Sequence, residues 1–177
     1  VKSWCERGLH VPDTRDCSCS LLPLSGGDLQ TSSVTISDSC MAAFDDLRLK
    51  SISKWVVFGV RDSGKGARGE TLTEVYVVKR GAAKSNYKAF CAELPDDDAR
   101  MGVFDEEVID DDTGAKRNKI LFFCWCPDDA KLRSKMLVAS AKDHLKKRLP
   151  GISGEFGATD KTEMDYGMVL ERVQHFT

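Results

Sequence analysis

The sequence predicts a single domain of the α/β class, of the α+β type, with a central mixed β-sheet sandwiched between helices. Segments of helical period and segments of strand period alternate irregularly along the chain, which indicates a mixed sheet packed between helices. A length of 177 residues and a hydrophobic share of 41% suit one domain with a substantial core, whereas two domains would be cramped. The charged share of 31% is that of an ordinary globular protein.

Residues 1–31 differ in composition from the rest of the chain. The stretch "VKSWCERGLHVPDTRDCSCSLLPLSGGDLQT" shows no sustained period and carries Pro, Gly and Ser. Such a stretch is typical of a flexible extension, so we predict an extension over 1–31 and a folded domain over 32–177. Its apolar "LLPL" is too short for the core of a signal peptide, and no apolar run approaches the length of a membrane span.

A first helix and a hairpin open the predicted domain. In "SDSCMAAFDDLRLK" (37–50), Ser37 or Asp38 can cap a helix whose apolar residues follow helical spacing. The segments "KWVVFGV" (54–60) and "LTEVYVVK" (72–79) are typical of strands. The Gly-rich "RDSGKGARGET" between them predicts a long hairpin loop, and it lacks the spacing of a phosphate-binding loop.

The middle of the chain predicts a short helix and two strands. "SNYKAFCAEL" (85–94) favours the helix, and "RMGVFDEEVI" (100–109) begins as a strand and is expected to end in an acidic turn. "EEVIDDDTGAK" (106–116) resembles a calcium loop superficially, but its Gly is not at the spacing of an EF-hand, so a solvated loop is expected. "KILFFCWCP" (119–127) is apolar at consecutive positions, so both faces of the strand are apolar, as expected of a central strand covered on both sides.

The cysteines indicate a reducing compartment, for which the cytoplasm is the simplest interpretation. There are seven, an odd number, and they lie in segments that otherwise resemble core, which argues against a disulfide framework. Cys124 and Cys126 share one face of the central strand. Buried thiols are the default interpretation, because the spacing is C-x-C and not the usual C-x-x-C, and no His or third Cys lies nearby in sequence. A metal-binding or redox role is the alternative.

The segment "PDDAKLRSKMLVASAKDHLKKRLPG" (127–151) predicts one long helix. Its acidic residues come first, its cations come last, and Pro150 with Gly151 ends it. At about 100° per residue, one stripe suits the core: Ala130, Leu137, Val138, Ala141, Leu145 and Leu149. The opposite face mixes apolar and charged residues: Leu132, Arg133, Met136, Ala139, Ser140, Asp143 and Lys147. An apolar centre rimmed by charge is typical of a partner-binding face, and a solvated face is the alternative.

The last elements and the charge pattern complete the prediction. "GEFGAT" (154–159) is a short extended piece, and "KTEMDYGMVLERVQ" (161–174) predicts a final helix capped by Asp160. The chain carries a net charge of −2, but from 116 to 148 there are ten Lys and Arg against three Asp and Glu, a local charge of +7. Nucleic acid, anionic lipid and an acidic protein all remain open as partners on charge alone.

Three motifs resemble the actin-depolymerising factor/cofilin family: "WCPDDAKLRSKMLVASAKD" (125–143), "ELPDDDAR" (93–100) and "GATDKTEMD" (157–165). The resemblance extends from about residue 32 to residue 174. It implies the fold described above, a domain of the actin-depolymerising-factor homology type, and a monomeric, cytoplasmic, cytoskeleton-associated protein. It also implies binding to actin monomers and filaments, with preference for the ADP form, followed by filament severing and depolymerisation. Neither catalysis nor a cofactor nor a nucleic acid is implied.

The resemblance also assigns residues to surfaces. The actin-monomer surface is expected to comprise residues of the amino arm, the long helix and the final segment: Ser32, Ser33, Val34, Arg133, Lys135, Met136, Lys142, Asp143, Asp160 and Glu163. The filament surface is expected to add Arg117, Lys119, Lys146, Lys147, Glu171 and Arg172. Ser32 is the expected phosphorylation site, and Ser33 is the nearest rival. Inositol phospholipids are a further expected partner, through Lys116, Arg117, Lys119, Lys142, Lys146 and Lys147.

Three departures from the family pattern bear on these expectations. Here 31 residues precede Ser32, whereas the family usually begins within a few residues of that Ser. His175 stands where some relatives carry Arg, which predicts weaker or pH-dependent filament binding. The first hairpin loop is longer and richer in Gly than expected. The alternative functions are a coactosin-like module that binds filaments without severing them, and a thiol enzyme built on Cys124 and Cys126.

Overall fold

The computed structural model describes residues 33–67, 69–109 and 114–175. Ten elements follow one another along these residues: β1 (Ser33–Ile36), α1 (Asp38–Arg48), β2 (Ser53–Lys65), β3 (Thr71–Ala82), α2 (Tyr87–Ala92), β4 (Arg100–Ile109), β5 (Lys116–Trp125), α3 (Leu132–Arg148), β6 (Ile152–Ala158) and α4 (Tyr166–His175). Within these ranges no helix is both long and apolar enough to cross a membrane. The predicted extension over 1–31 and Ser32 lie outside the described residues, so that prediction stays untested.

The six strands form one mixed sheet in the order β1-β3-β2-β4-β5-β6. The central neighbours β3, β2, β4 and β5 run antiparallel to one another. The two outer strands pair in parallel, β1 with β3 and β6 with β5. This arrangement confirms the predicted mixed sheet.

Helices cover both faces of the sheet. On one face, α1 and α3 pack through Phe44, Val138 and Leu145 against strand residues such as Val56 and Phe122. On the other face, α2 and α4 enclose an aromatic core that contains Tyr87, Phe90, Phe104, Phe123 and Trp125. Consecutive residues of β5 therefore serve opposite cores, since side chains alternate along a strand. The prediction of a central strand covered on both sides is confirmed.

The long helix is shorter at its amino end than its sequence predicts. Residues 127–130 form a turn, in which the Ala130 amide donates to the Pro127 carbonyl at 3.0 Å, and α3 begins only at Leu132. The Cys126 amide is still bonded to the Ala158 carbonyl, so the chain leaves the sheet just before Pro127. Pro followed by two Asp satisfies a turn as readily as a first helical turn, and the sheet contact decides between them.

Strands extend further than predicted in two places. β2 and β3 remain paired as far as Lys65 and Thr71, so the expected long hairpin loop is mostly strand. Likewise, the expected acidic turn at the end of 100–109 is strand, because β4 stays in register with β5 as far as Ile109 opposite Lys116. Cross-strand charge pairs favour this extension, and residues 110–113 of the expected solvated loop lie outside the described part.

The final helix begins at Tyr166 and not near residue 161. Asp160 caps a turn, since its Oδ1 accepts the amides of Thr162 at 2.7 Å and Glu163 at 3.1 Å. The carboxylate at the start of α4 belongs to Asp165, whose Oδ2 accepts the Gly167 amide at 3.0 Å. Two Asp residues five positions apart can each begin a helix in principle, and the sequence prediction chose the wrong one.

Candidate functional site

The direction of the strands divides the predicted site residues between two ends of the sheet. β5 and β6 run in parallel and finish at Trp125 and Ala158, just before α3 and the turn that leads to α4. α3 then runs back, so its last turn lies near the start of β6. We call the first region the α3-start end and the opposite one the α3-finish end.

Several separate segments meet at the α3-start end. β4 begins there, because Arg100 lies opposite Trp125. β2 runs antiparallel to β4, so the tip of the β2–β3 hairpin points the same way. β1 also begins there, since it runs parallel to β3 with Ser33 beside Leu72. The amino arm, the hairpin tip, the start of α3 and the turn at 159–165 therefore share one end of the molecule.

The outer face of α3 exposes two large apolar side chains. Leu132 is 72% exposed and Met136 is 52% exposed, one helical turn apart. On the inner face, Val138, Ala141 and Leu145 have no exposed surface. The predicted division of this helix into a core stripe and an outer face is confirmed except at Leu137, which was predicted for the core but is only half-buried, and the described residues leave the apolar part of the outer face open.

The cations beside these apolar residues are held by neighbouring elements. The Arg133 guanidinium donates to the Asp62 carboxylate on β2, and the Lys135 ammonium donates to the Asp128 carbonyl at 3.0 Å. A hydrogen bond from the Gly64 amide, together with Arg133, holds the pKa of Asp62 below its usual range. Arg133 itself remains largely exposed, so it stays accessible to a partner.

Polar contacts fix the start of α3 to the adjoining loop and turn. The Ser134 hydroxyl donates to Asp98 and accepts the Ala99 amide at 3.2 Å. The same loop reaches the turn at 159–165 through an ion pair of 2.6 Å between Asp96 and Lys161. These links join the start of α3, the loop at 93–99 and the turn at 159–165.

The acidic residues predicted for this surface also stabilise its turn. Glu163 accepts the Thr159 amide at 2.7 Å, and Asp160 accepts amides further along the turn. Hydrogen bonds from the Thr162 hydroxyl and from the Glu163 and Thr162 amides lower the pKa of Asp160. Both carboxylates are exposed and therefore able to meet a partner as well.

Two predicted cations in the second half of α3 converge on one carboxylate. Lys142 lies 2.9 Å from Glu155 of β6, and Lys146 donates to the other oxygen of the same carboxylate. Burial raises the pKa of Glu155, but the hydrogen bonds from the two lysines outweigh it and leave this pKa below its ordinary value. Asp143 is exposed on the outer face, so the structure separates it from this cluster.

The α3-finish end gathers the residues predicted for filament contact. The Lys116 ammonium lies 2.7 Å from Glu107, and the Lys119 ammonium donates to the Val173 carbonyl in the last turn of α4 at 3.0 Å. A cation at that position is favoured by the helix dipole. The other members are Arg117, Lys147 and Glu171, which are exposed, and Arg172, which is half-buried. The side chains of Ser33 and His175 lie outside the described part.

Comparison with known proteins identifies the family. Residues 33–174 match the family model of cofilin/tropomyosin-type actin-binding proteins. The chain is 40% identical over 147 residues to cofilin of Mycosarcoma maydis, covering 83% of this chain and 99% of the relative, and 39% identical to cofilin of Saccharomyces cerevisiae, covering 82% and 95%. A crystal structure of Streptomyces griseoflavus cofilin superposes with a TM-score of 0.66 at 34% identity, covering 81% of this chain and 98% of that one.

The chain belongs to the actin-depolymerising factor/cofilin family. The match begins at the first residue of β1 and ends within α4, so it includes both ends of the sheet described above. The fold implied by the resemblance is confirmed.

The thiol chemistry considered as an alternative has little support in this cofilin-family domain. Cys124 and Cys126 are each 3% exposed within the α1/α3 core, and their sulfur atoms lie 3.9 Å apart. That separation is far beyond the length of a disulfide bond. A reactive thiol needs access to solvent, which this position withholds.

Sequence reasoning missed the acceptors that hold the start of α3 and three of the predicted cations of the cofilin-family site. Asp62, Asp98 and Glu155 position Arg133, Ser134 and the Lys142–Lys146 pair. They come from β2, a loop and β6, far from α3 in sequence. Periodicity indicates only on which face of a helix or strand a residue lies. No signal in the sequence therefore links these acceptors to the α3 residues that they contact.

Proposed function

We propose that this protein binds actin monomers and filaments, prefers the ADP form, severs filaments and promotes their depolymerisation. The observation that carries the proposal is the exposed apolar pair Leu132 and Met136 on α3, beside Arg133 and Lys135, in a domain of an actin-binding family. An apolar anchor with a cationic rim suits an acidic protein partner, since the rim steers association and the anchor supplies desolvated contact. Such a protein acts by binding, in association with the actin cytoskeleton, and not by covalent catalysis.

The two ends of the sheet suit the two forms of actin. A monomer needs one contact surface, which the α3-start end offers. A filament places a second subunit beside the first, and the cations at the α3-finish end are a separate surface for it. Tighter binding to one filament state than to another would shift subunits toward that state and weaken the lattice.

Filament cosedimentation tests the proposal, combined with counts of severing events by fluorescence microscopy. We expect saturable cosedimentation, fragmentation at substoichiometric protein and faster loss of ADP-actin subunits. Saturable binding without fragmentation would support the coactosin-like alternative. Absence of binding to both monomers and filaments would contradict the proposal.

We propose further that phosphorylation of Ser32 weakens actin binding. The next residue, Ser33, begins β1 at the α3-start end, so a phosphate at 32 would carry its charge of about −1.5 to −2 to the contact surface. Ser32→Asp should therefore weaken monomer binding more than Ser32→Ala. Both variants should be measured with and without residues 1–31, and equal affinities in the truncated pair would contradict the switch.

Inositol phospholipids are a second proposed ligand. The proposed lipid-binding cations are Arg117 and Lys147, which are exposed at the α3-finish end, together with Lys116, Lys119, Lys142 and Lys146. Several of these cations already contact protein groups, among them Lys116, Lys119, Lys142 and Lys146, so we expect lipid to bind more weakly than the count of cations suggests. Vesicles with and without inositol phospholipid, competed against actin filaments, measure this binding. Equal binding to both kinds of vesicle would contradict it.

A further inference from the structure

The β2–β3 hairpin extends beyond the end of β4 as a paired ribbon. β4 pairs with β2 only from Trp55 to Phe58, whereas β2 and β3 stay paired to Lys65 and Thr71. Beyond that pair, the Gly66 amide still donates to the Glu70 carbonyl at 2.8 Å. The hairpin therefore stays paired as a ribbon almost to its tip, where a long loop was expected, and β1 lies beside it as far as Leu72.

Two glycines have the backbone angles that the bulge and the turn of the ribbon require. The register shifts between Asp62 and Gly64, and Gly64 has a φ of 120°. Gly69, near the tip, has a φ of 80°. Residues with a side chain rarely adopt such angles, so this Gly-rich composition serves a defined bulge and turn.

Three contacts hold the ribbon, two between its own strands and one to α3. On β3, the Glu74 carboxylate pairs with Arg61 across the ribbon at 2.8 Å, and the Arg61 guanidinium lies 5.0 Å from the centre of the Tyr76 ring. On β2, Asp62 receives the Arg133 guanidinium of α3. The ribbon is thus fixed to the first turn of α3, beside the open apolar residues of that helix.

The ribbon also adjoins the amino arm. β1 pairs with β3 from Ser33 opposite Leu72 to Ile36 opposite Val75. β3 therefore separates β1 from β2, and the ribbon joins the two parts of the proposed monomer-binding surface, the arm on one side and α3 on the other.

The end of the ribbon presents a cation to solvent. Lys65, the last residue of β2, is exposed, and so is Ala67 beyond it. The carboxylates of Asp62 and Glu74, further back on the two strands, each have an arginine as partner. Lys65 therefore offers a positive charge to an approaching molecule, and the Glu70 carboxylate lies next to Gly66 at the tip.

We propose that the end of this ribbon, residues 61–67 and 69–71, is a further contact surface for the actin monomer, with Lys65 meeting acidic groups of actin. This inference rests on the function proposed above. The ribbon lies at the same end of the sheet as the outer face of α3. A partner bound at Met136 would therefore also be close enough to contact the ribbon. An exposed cation at the rim of such a contact chiefly raises the association rate.

The test measures the affinity of the full chain for ADP-actin monomers. Lys65→Glu reverses the charge at the end of the ribbon. Lys84→Glu is the matched control, because Lys84 is equally an exposed lysine, but it follows the finish of β3 at the other end of the sheet. We expect Lys65→Glu to bind about 3- to 10-fold more weakly than Lys84→Glu, chiefly through slower association.

Cross-linking gives a second readout that does not depend on charge. A photo-reactive side chain in place of the exposed Ala67 should cross-link to bound actin monomer. The matched position is Ala83, which is also exposed but lies beyond the finish of β3, and the same side chain there should give no cross-link.

Arg133→Ala combined with Lys135→Ala separates the possible outcomes. If this variant loses affinity while Lys65→Glu matches Lys84→Glu and position 67 gives no cross-link, the ribbon inference is overturned and the proposed function stands. If the unmodified chain binds no actin, both are overturned. Equal melting temperatures of the variants exclude loss of fold as the cause.

Discussion

The two ends of the sheet differ in the kind of predicted contact residue that they carry. At the α3-start end, Leu132 and Met136 expose apolar surface, and the neighbouring Arg133 remains 73% exposed in its side chain. At the α3-finish end the predicted contacts are charged, and several are tied to the domain itself, such as Lys116 to Glu107 and Lys119 to α4. Among the predicted contact residues, those at the first end include apolar side chains that gain energy by desolvation, whereas those at the second end are all charged.

This difference predicts different sensitivities at the two ends. Apolar contact buried in an interface is little affected by salt, whereas contact between exposed charges weakens as ionic strength rises. Cations that already have partners must also exchange them on binding, which lowers their net gain. We therefore expect the α3-start end to carry most of the affinity and the α3-finish end to adjust it.

The largest expected effect concerns the two faces of α3. Leu145→Ala should lower the free energy of unfolding by about 2–5 kcal/mol, because the side chain is completely buried. Leu132→Ala is the matched control on the outer face and should change it by less than about 0.5 kcal/mol. Chemical denaturation measures both. Similar losses in the two variants would show that the outer face is packed and not open.

Next in size is the loss of cations at the α3-start end. Arg133→Ala combined with Lys135→Ala should weaken monomer binding about 10- to 100-fold with the fold intact, since both side chains lie off the core stripe. Titration of labelled ADP-actin gives the affinity, and circular dichroism checks the fold. A folded double variant with unaltered affinity would refute the placement of the monomer surface.

A smaller effect is expected at the α3-finish end. Lys146→Ala combined with Lys147→Ala should leave monomer affinity nearly unchanged and weaken filament binding about 3- to 10-fold at low salt. Cosedimentation at two salt concentrations measures this, and the gap between variant and wild type should narrow at high salt. A loss of monomer binding as large as that of the Arg133 and Lys135 variant would remove the distinction between the ends.

The smallest predicted effect is a pH dependence of stability at Glu155. The folded pKa of Glu155 is lowered, so its stabilisation is present above the unfolded pKa of about 4.3 and is lost as pH falls through the folded value. Glu155→Gln should therefore be less stable than wild type near neutral pH, and the gap should shrink in acid. Unfolding curves from about pH 6 to about pH 3 measure it. A gap that is independent of pH would contradict the role of the Lys142 and Lys146 contacts.

Local patterns in the sequence predicted the elements whose environment is local. Helical spacing assigned Val138, Ala141 and Leu145 to the core, and alternation identified β5 as a strand covered on both sides. Where the partner is distant the prediction failed: α3 starts late because Cys126 is still bonded to β6, and the hairpin strands extend because of their mutual pairing.

The site shows the same limit. Helical periodicity placed Leu132, Arg133 and Met136 on one face, and the structure confirms that placement. Asp62, which holds Arg133, is 71 positions away in sequence, and nothing local distinguishes it from other acidic residues of the hairpin. Contacts of this kind require the topology of the sheet, which brings β2 beneath the start of α3.

The central claim is that the apolar part of the α3 outer face is the anchor for actin, and Met136→Asp tests it most directly. Met168→Asp is the matched control, because Met168 is 48% exposed, close to the 52% of Met136, but lies on α4. The measurement is the affinity of both full-length variants for ADP-actin monomers. We predict at least about a 100-fold loss for Met136→Asp, since a charge would be buried at the contact, and less than about a twofold change for Met168→Asp. Equal affinity of the two folded variants would contradict the account.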